Sequence, residues 1–132
     1  MPKTILIVDD ERGIADTLCA ILKHAGYEAI AVYNAGDALE TLRTTKVDLL
    51  LSDVIMPGMN GMELAVHTRQ HYPLTSILLI SGNAATQEIV MEAESKGHRF
   101  ELLAKPVLPK HMLAHVEWAL RHAVLKRGAA AS

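Results

Sequence analysis

At 132 residues, half of them hydrophobic and 21% charged, with a formal net charge of −2, the chain has the size and composition of one globular domain. So small a charge excludes the broad basic footprint of a general nucleic-acid or membrane-surface binder, and a single cysteine, Cys19, excludes an intrachain disulfide. No run approaches the roughly 20 apolar residues that cross a bilayer, and the opening MPKTILIVDD has too short an apolar stretch for a secretory leader, so the expectation is a soluble cytoplasmic protein.

In chain order, the first apolar run is TILIV (4–8), which ends abruptly on Asp9 and Asp10. Residues 12–25 then place Ile14, Leu18, Ile21, Leu22 and Ala25 on one helical stripe, with Gly26 as a stop. A second strand is predicted at EAIAVY (28–33), and a shorter helix at 36–45 around Ala38, Leu39 and Leu42. The third strand, DLLLS (48–52), leads into Asp53 and at once into the breakers Pro57, Gly58 and Gly61; Asn60–Gly61 suits the start of a helix over 61–71. SILLI (76–80) is followed by Ser81 and a helix over 84–96 that Gly97 ends. FELLA (100–104) is followed by Lys105–Pro106 and a helix over 109–126, with Pro109 in its first turn and Gly128 as its stop.

Strand and helix thus alternate five times with short connections, which implies a parallel sheet with helices on both faces. Several strands are apolar without alternation, as buried parallel strands are. In such sheets ligands sit outside the carboxyl ends of the strands. Asp9, Asp10, Asp53, Ser81 and Lys105 all fall at or just after those ends, so five distant positions converge on one rim.

The loop DDERG after the first strand has no glycine-rich phosphate cradle. Its carboxylates, with Asp53 across the sheet, would repel a bare phosphate and attract a hard cation; Mg²⁺ prefers such oxygen ligands. A strand-end carboxylate can also act as a nucleophile toward phosphorus, a transfer that depends mainly on positioning and charge neutralisation. A hydroxyl at Ser81 and an ammonium at Lys105 could each meet phosphoryl oxygens. Each residue has an ordinary reading when taken singly: the acids as solvated charges at a helix start, Ser81 as a turn or cap, Lys105 as a loop lysine.

Taken together, ILIVDDE, LLLSDVIMPGMNGMEL, LLISGNA and LLAKPV resemble the receiver domain of two-component response regulators, in order and spacing, over nearly the whole chain. The resemblance implies a flavodoxin-like, doubly wound (βα)5 α/β fold with strand order 2-1-3-4-5 and a receiver domain over residues 1–127; the low-complexity end RGAAAS reads as a frayed, disordered tail at 128–132. It implies that Asp53 is the phosphoacceptor, supplied by a sensor histidine kinase or phosphotransfer protein. Asp10, Asp53 and the backbone carbonyl of Ile55 would bind Mg²⁺, with Asp9 acting through water, while Ser81 and Lys105 contact the phosphoryl group. The output would be a downstream protein partner on the surface of the fourth helix, fifth strand and fifth helix, with a homodimer among the assemblies allowed. No direct nucleic-acid or membrane contact is implied, and no enzymatic role beyond self-catalysed phosphorylation and dephosphorylation.

The chain departs from the family pattern in places. Leu102 stands three residues before Lys105, where an aromatic residue is usual; Phe100 lies two residues earlier, and the segment Gly97–Lys105 is one residue longer. This keeps open the alternative of a receiver-like binding module that signals without phosphorylation. An aspartate-nucleophile phosphatase would need a second acid where Ile55 stands, and a flavin site would need a better phosphate cradle than DDERG. Ile55 and Asn83 occupy the positions that tune phosphoryl hydrolysis in the family. His67 with His71, and His111 with His115, are four apart, but neither pair has the carboxylate of a zinc-protease motif, so they read as solvated. Trp118 is expected to pack, and Cys19 to be buried and inert.

Overall fold

The computed structural model describes residues 2–82 and 84–131, with side chains described up to Ala123. Five strands and five helices alternate: β1 (Thr4–Val8), α1 (Arg12–His24), β2 (Glu28–Val32), α2 (Ala35–Thr44), β3 (Leu49–Asp53), α3 (Gly61–His71), β4 (Ser76–Ser81), α4 (Ala84–Ser95), β5 (Glu101–Ala104) and α5 (Pro109–Ala131). The strands form one sheet in the order β2-β1-β3-β4-β5, every pairing parallel. This is the flavodoxin-like α/β architecture.

The unbroken apolar runs follow from coverage of both sheet faces. Alternate residues of one strand point to opposite sides. Ile5, Ile7, Leu49, Leu51, Leu78 and Ile80 pack with Leu18 and Leu22 of α1 and Met112 and Val116 of α5. Leu6, Val8 and Leu50 pack on the other face with Ala38 and Leu42 of α2 and Leu64 of α3. A third cluster joins Leu79 to Met62 and Ala65 of α3 and Val90 and Ala93 of α4. Each fully buried Leu or Ile contributes roughly 2 kcal/mol by leaving water. The central strands β1 and β3 are buried along nearly their whole length, whereas β2 and β5, at the edges, are largely half-buried.

Several sequence expectations shift by about a residue, along a strand or around a helix. The core-facing side of α1 is Ala15, Leu18, Cys19 and Leu22; Ile14 and Ile21 flank it, and Ala25 is exposed as the C-cap. Gly26 does end the helix: its φ of +100° suits glycine, and its N–H bonds the Lys23 carbonyl. Asp48 stands just before β3; its N–H bonds the Thr4 carbonyl at 2.8 Å and its carboxylate accepts the Thr4 N–H at 2.8 Å. Phe100 precedes β5, and α5 continues through Gly128 to Ala131. One glycine costs a helix about 1 kcal/mol, and the alanines after it are the best helix formers. Ser132, the end of the expected tail, and Asn83 lie outside the described residues.

The start of α3 is closed by a reciprocal cap. Asn60 Oδ1 accepts the Glu63 N–H at 2.8 Å, and Glu63 Oε1 accepts the Asn60 N–H at 3.2 Å. This cap anchors the loop that leaves Asp53. Asn60→Ala is expected to cost about 1 kcal/mol and to lower Tm by about 4 °C in a thermal melt.

Candidate functional site

Register brings the polar strand ends together. Val8 of β1 pairs with Ser52 of β3, Asp53 with Ile80 of β4, and Ser81 with Ala104 of β5. The next steps along each chain therefore place Asp9, Asp53, Ser81 and Lys105 on one rim, at the carboxyl edge of the sheet.

One carboxylate oxygen from each of Asp9, Asp10 and Asp53 lies within 4.8 Å of the others, and this is the only such acidic, histidine or cysteine cluster among the described residues. Asp10 is exposed, whereas Asp9 is fully buried and Asp53 only 4% exposed. Asp9 Oδ1 accepts the Glu11 N–H at 2.9 Å, but its buried Oδ2 has no hydrogen-bond partner among the described residues. Burial raises the Asp9 pKa to about 6; the Glu11 amide opposes that rise, Asp53 and Asp10 add repulsion, and Lys105 offsets part of it.

The single cation of the cluster is Lys105. Its Nζ donates to Asp53 Oδ2 at 3.1 Å, and its backbone N–H bonds the Ser81 carbonyl at 3.0 Å, tying the β5 end to β4. Partial burial works against its charge, yet the hydrogen bond and attraction of Asp53, backed by Asp9 and Glu11, hold its pKa above the usual lysine value. The Lys105–Pro106 bond is cis. Ser81 ends β4 half-buried, and its hydroxyl bonds to none of the described residues.

A hard cation fits this donor set. Three carboxylates face one ammonium, one buried carboxylate oxygen is unsatisfied, and the Ile55 carbonyl, two residues past Asp53, accepts no hydrogen bond among the described residues. Oxygen-only ligands of this kind suit Mg²⁺ rather than a softer metal.

Two glycines matter here in ways their sequence context does not reveal. A Cβ on Gly61 would stand 1.9 Å from the Asp53 carbonyl oxygen, so α3 packs directly on the backbone of the β3 end. A Cβ on Gly82 would stand 2.7 Å from Lys105 Cδ, so the bare backbone there leaves the path of the lysine stem open. Ser52 adds a buried hydroxyl that donates to the Asp53 carbonyl at 3.0 Å. No local pattern signals these approaches, since each joins segments far apart or depends on side-chain direction.

The remaining candidates lie elsewhere. The His67 and His71 rings stack at 4.1 Å on α3, and His115 meets Glu101 of β5 at 2.9 Å. Cys19 is buried, as expected. Trp118 does not pack into the core: it is half exposed and stacks on His122 at 3.8 Å, because Ala119 takes the inward position on α5. Leu102 is half-buried in β5, and the Phe100 ring lies under the Arg69 guanidinium, 3.9 Å from ring centroid to Cζ. Among the described residues no helix is long and apolar enough to cross a membrane.

A family model described as the response regulator receiver domain matches residues 5–117. Among solved structures, an uncharacterized protein from Neptuniibacter caesariensis is 32% identical, with a TM-score of 0.85 over 95% of this chain and 92% of that one. A CheY-like response regulator receiver domain protein from Methanospirillum hungatei JF-1 is 28% identical, with a TM-score of 0.85 over 96% of this chain and 99% of its own. Chemotaxis response regulator CheY4 of Vibrio cholerae is 28% identical, with a TM-score of 0.78 over 90% and 99%. With that match, this sheet order and these acids on its carboxyl rim, the chain belongs to the response regulator receiver domain family of two-component signalling.

Proposed function

We propose that Asp53 accepts a phosphoryl group from a phosphohistidine of a sensor kinase or phosphotransfer protein, and that the acyl phosphate alters binding of a downstream protein in the cytoplasm. The observation that carries this reading is Asp53 held 3.1 Å from Lys105 with two more carboxylates beside it. Asp10, Asp53 and the Ile55 carbonyl would hold Mg²⁺, with Asp9 acting through a water. When bound, Mg²⁺ neutralises the carboxylates and the charge of the transferring phosphoryl oxygens.

An Asp53 carboxylate oxygen attacks phosphorus, the P–N bond to the donor imidazole breaks, and the imidazole leaves with the electron pair and takes up a proton. The β3 end holds the nucleophile still, which matters because this transfer depends on position more than on acid–base help. Lys105 turns from the carboxylate to a phosphoryl oxygen, and the Ser81 hydroxyl donates to another. Those contacts bias the end of β4, and the α4–β5–α5 surface follows as a population shift. The role is that of a signalling module that catalyses its own phosphorylation and dephosphorylation.

The direct test is incubation with acetyl phosphate and Mg²⁺, then borohydride reduction, which converts an aspartyl phosphate to homoserine. Homoserine at position 53 is expected; its appearance elsewhere, or nowhere, rejects the assignment. Lys105→Ala is expected to slow labelling roughly 10- to 100-fold, from loss of a charged hydrogen bond worth about 1.5–3 kcal/mol, while circular dichroism stays unchanged.

A second reading, docking without phosphorylation, draws on Leu102 in place of the usual aromatic residue and on Phe100 being held by Arg69. It predicts equal partner affinity with and without beryllofluoride, whereas the first reading predicts a change.

A further inference from the structure

The pole of the sheet opposite the acidic rim carries a feature that phosphoryl chemistry leaves unused. Between the α3–β4 connection, the starts of β4 and β5 and the 118–123 stretch of α5 lies an open cleft of about 450 Å³. Of the four large hydrophobic side chains exposed among the described residues, two sit on it: Leu74, 58% exposed, and Trp118, 50% exposed. Half-buried Phe100 lines the cleft as well. Apolar side chains gathered this way at a rimmed depression mark a recognition surface more than isolated exposure does.

The rim is basic. Arg69 reaches over from α3, with its guanidinium above Phe100 and a hydrogen bond at 2.9 Å to the Arg99 carbonyl. Arg99 comes from the loop before β5, and its side chain bonds to none of the described residues. Neither guanidinium forms an ion pair among the described residues. Burial lowers the Arg69 pKa, with no anion acting against that effect. The one acid lining the cleft, Glu101, is engaged by His115 at 2.9 Å.

We propose that this cleft docks an acidic peptide segment of a partner protein, its large apolar side chain seated against Phe100 and Trp118 and its carboxylates paired with Arg69 and Arg99. Planar guanidinium groups match carboxylates bidentately, and an aromatic floor beside arginine is the usual composition of an interface centre. A partner held at this pole leaves the acidic rim free for its phosphoryl donor.

Trp118 is the only tryptophan in the chain, so intrinsic fluorescence reports on the cleft directly. The probe is a blocked peptide, Asp-Glu-Leu-Phe-Glu-Asp, titrated into the unphosphorylated full chain beside a matched peptide with Asn and Gln in place of the acids. A saturable blue shift is expected with the acidic peptide. Affinity is expected to fall at least tenfold for the neutral peptide and for Arg99→Glu, an exposed substitution that leaves the fold intact. Arg69→Gln, which also loses the Phe100 contact, is expected to weaken binding as well. Absence of a shift, equal binding of the two peptides, or unchanged binding to Arg99→Glu overturns the proposal. A shift that follows protein concentration without peptide assigns the cleft to a second copy of this chain and overturns it too.

Discussion

Asp53→Asn is expected to abolish phosphoryl uptake from acetyl phosphate, with labelling falling below detection while the protein stays folded. The amide carries no negative charge, and its oxygen is a poor nucleophile toward phosphorus. Its shape is that of the carboxylate it replaces, so the 4%-exposed site keeps its packing, and the amide oxygen still accepts the Lys105 hydrogen bond. Two electrostatic changes oppose each other: Lys105 loses its anion, and Asp9 loses a repelling neighbour. Lys105 is 28% exposed, so solvent screens the pair, and the net change in stability is expected to stay within about 1 kcal/mol. Acid-labile label measured by intact mass, beside a thermal melt, separates the two effects. Label that persists in Asp53→Asn at the parent level removes Asp53 from its assigned role.

Gly61→Ala is expected to be the most damaging conservative change in the fold. The added Cβ would lie 1.9 Å from the Asp53 carbonyl oxygen and 2.8 Å from its carbon, both backbone atoms of a buried strand. Neither atom can swing aside, so α3 and the end of β3 must separate, and the bond from the Gly61 N–H to the Val54 carbonyl at 2.8 Å is strained with them. Overpacking of this kind costs about 3 kcal/mol, which in a domain of this size lowers Tm by about 10 °C. Gly58→Ala is the control: its φ of +74° is unfavourable for alanine, but nothing lies within 4 Å, and the cost is about 1 kcal/mol. If the two variants melt together, the close approach of α3 to β3 is wrong. The same displacement would move Asp53, so the Gly61→Ala protein that remains folded should label slowly.

The alternation of ten elements was legible because each signal is local. Strand-like runs of five or six residues, helical stripes and the stops at Gly26 and Gly97 can all be read within a short window. The local signals mislead where a position depends on what the element packs against. Asp48 falls just before β3, where its carboxylate takes the N–H of Thr4, 44 residues away in sequence. The inward side of α1 turned by about one residue toward Ala15 and Cys19, since the helix must meet both the sheet and α5. Trp118 is expected to pack, but the helix spacing that turns Met112, Val116 and Ala119 inward leaves Trp118 about 100° off that stripe; Ala119 meets the core instead, and its carbonyl accepts the Ser76 hydroxyl at 3.4 Å.

The candidate site divides in the same way. Which residues stand at strand ends, and that three are acids and one a lysine, follows from the order of the chain, because a parallel sheet with right-handed crossovers sends every strand's carboxyl end to one edge. The 4.8 Å grouping of Asp9, Asp10 and Asp53, the unsatisfied oxygen of Asp9, the 3.1 Å reach of Lys105, and the bare backbone required at Gly61 and Gly82 belong to the tertiary structure alone. They depend on the register between strands that dozens of residues separate, on side-chain direction and on what burial removes from water, and a linear pattern encodes none of these directly.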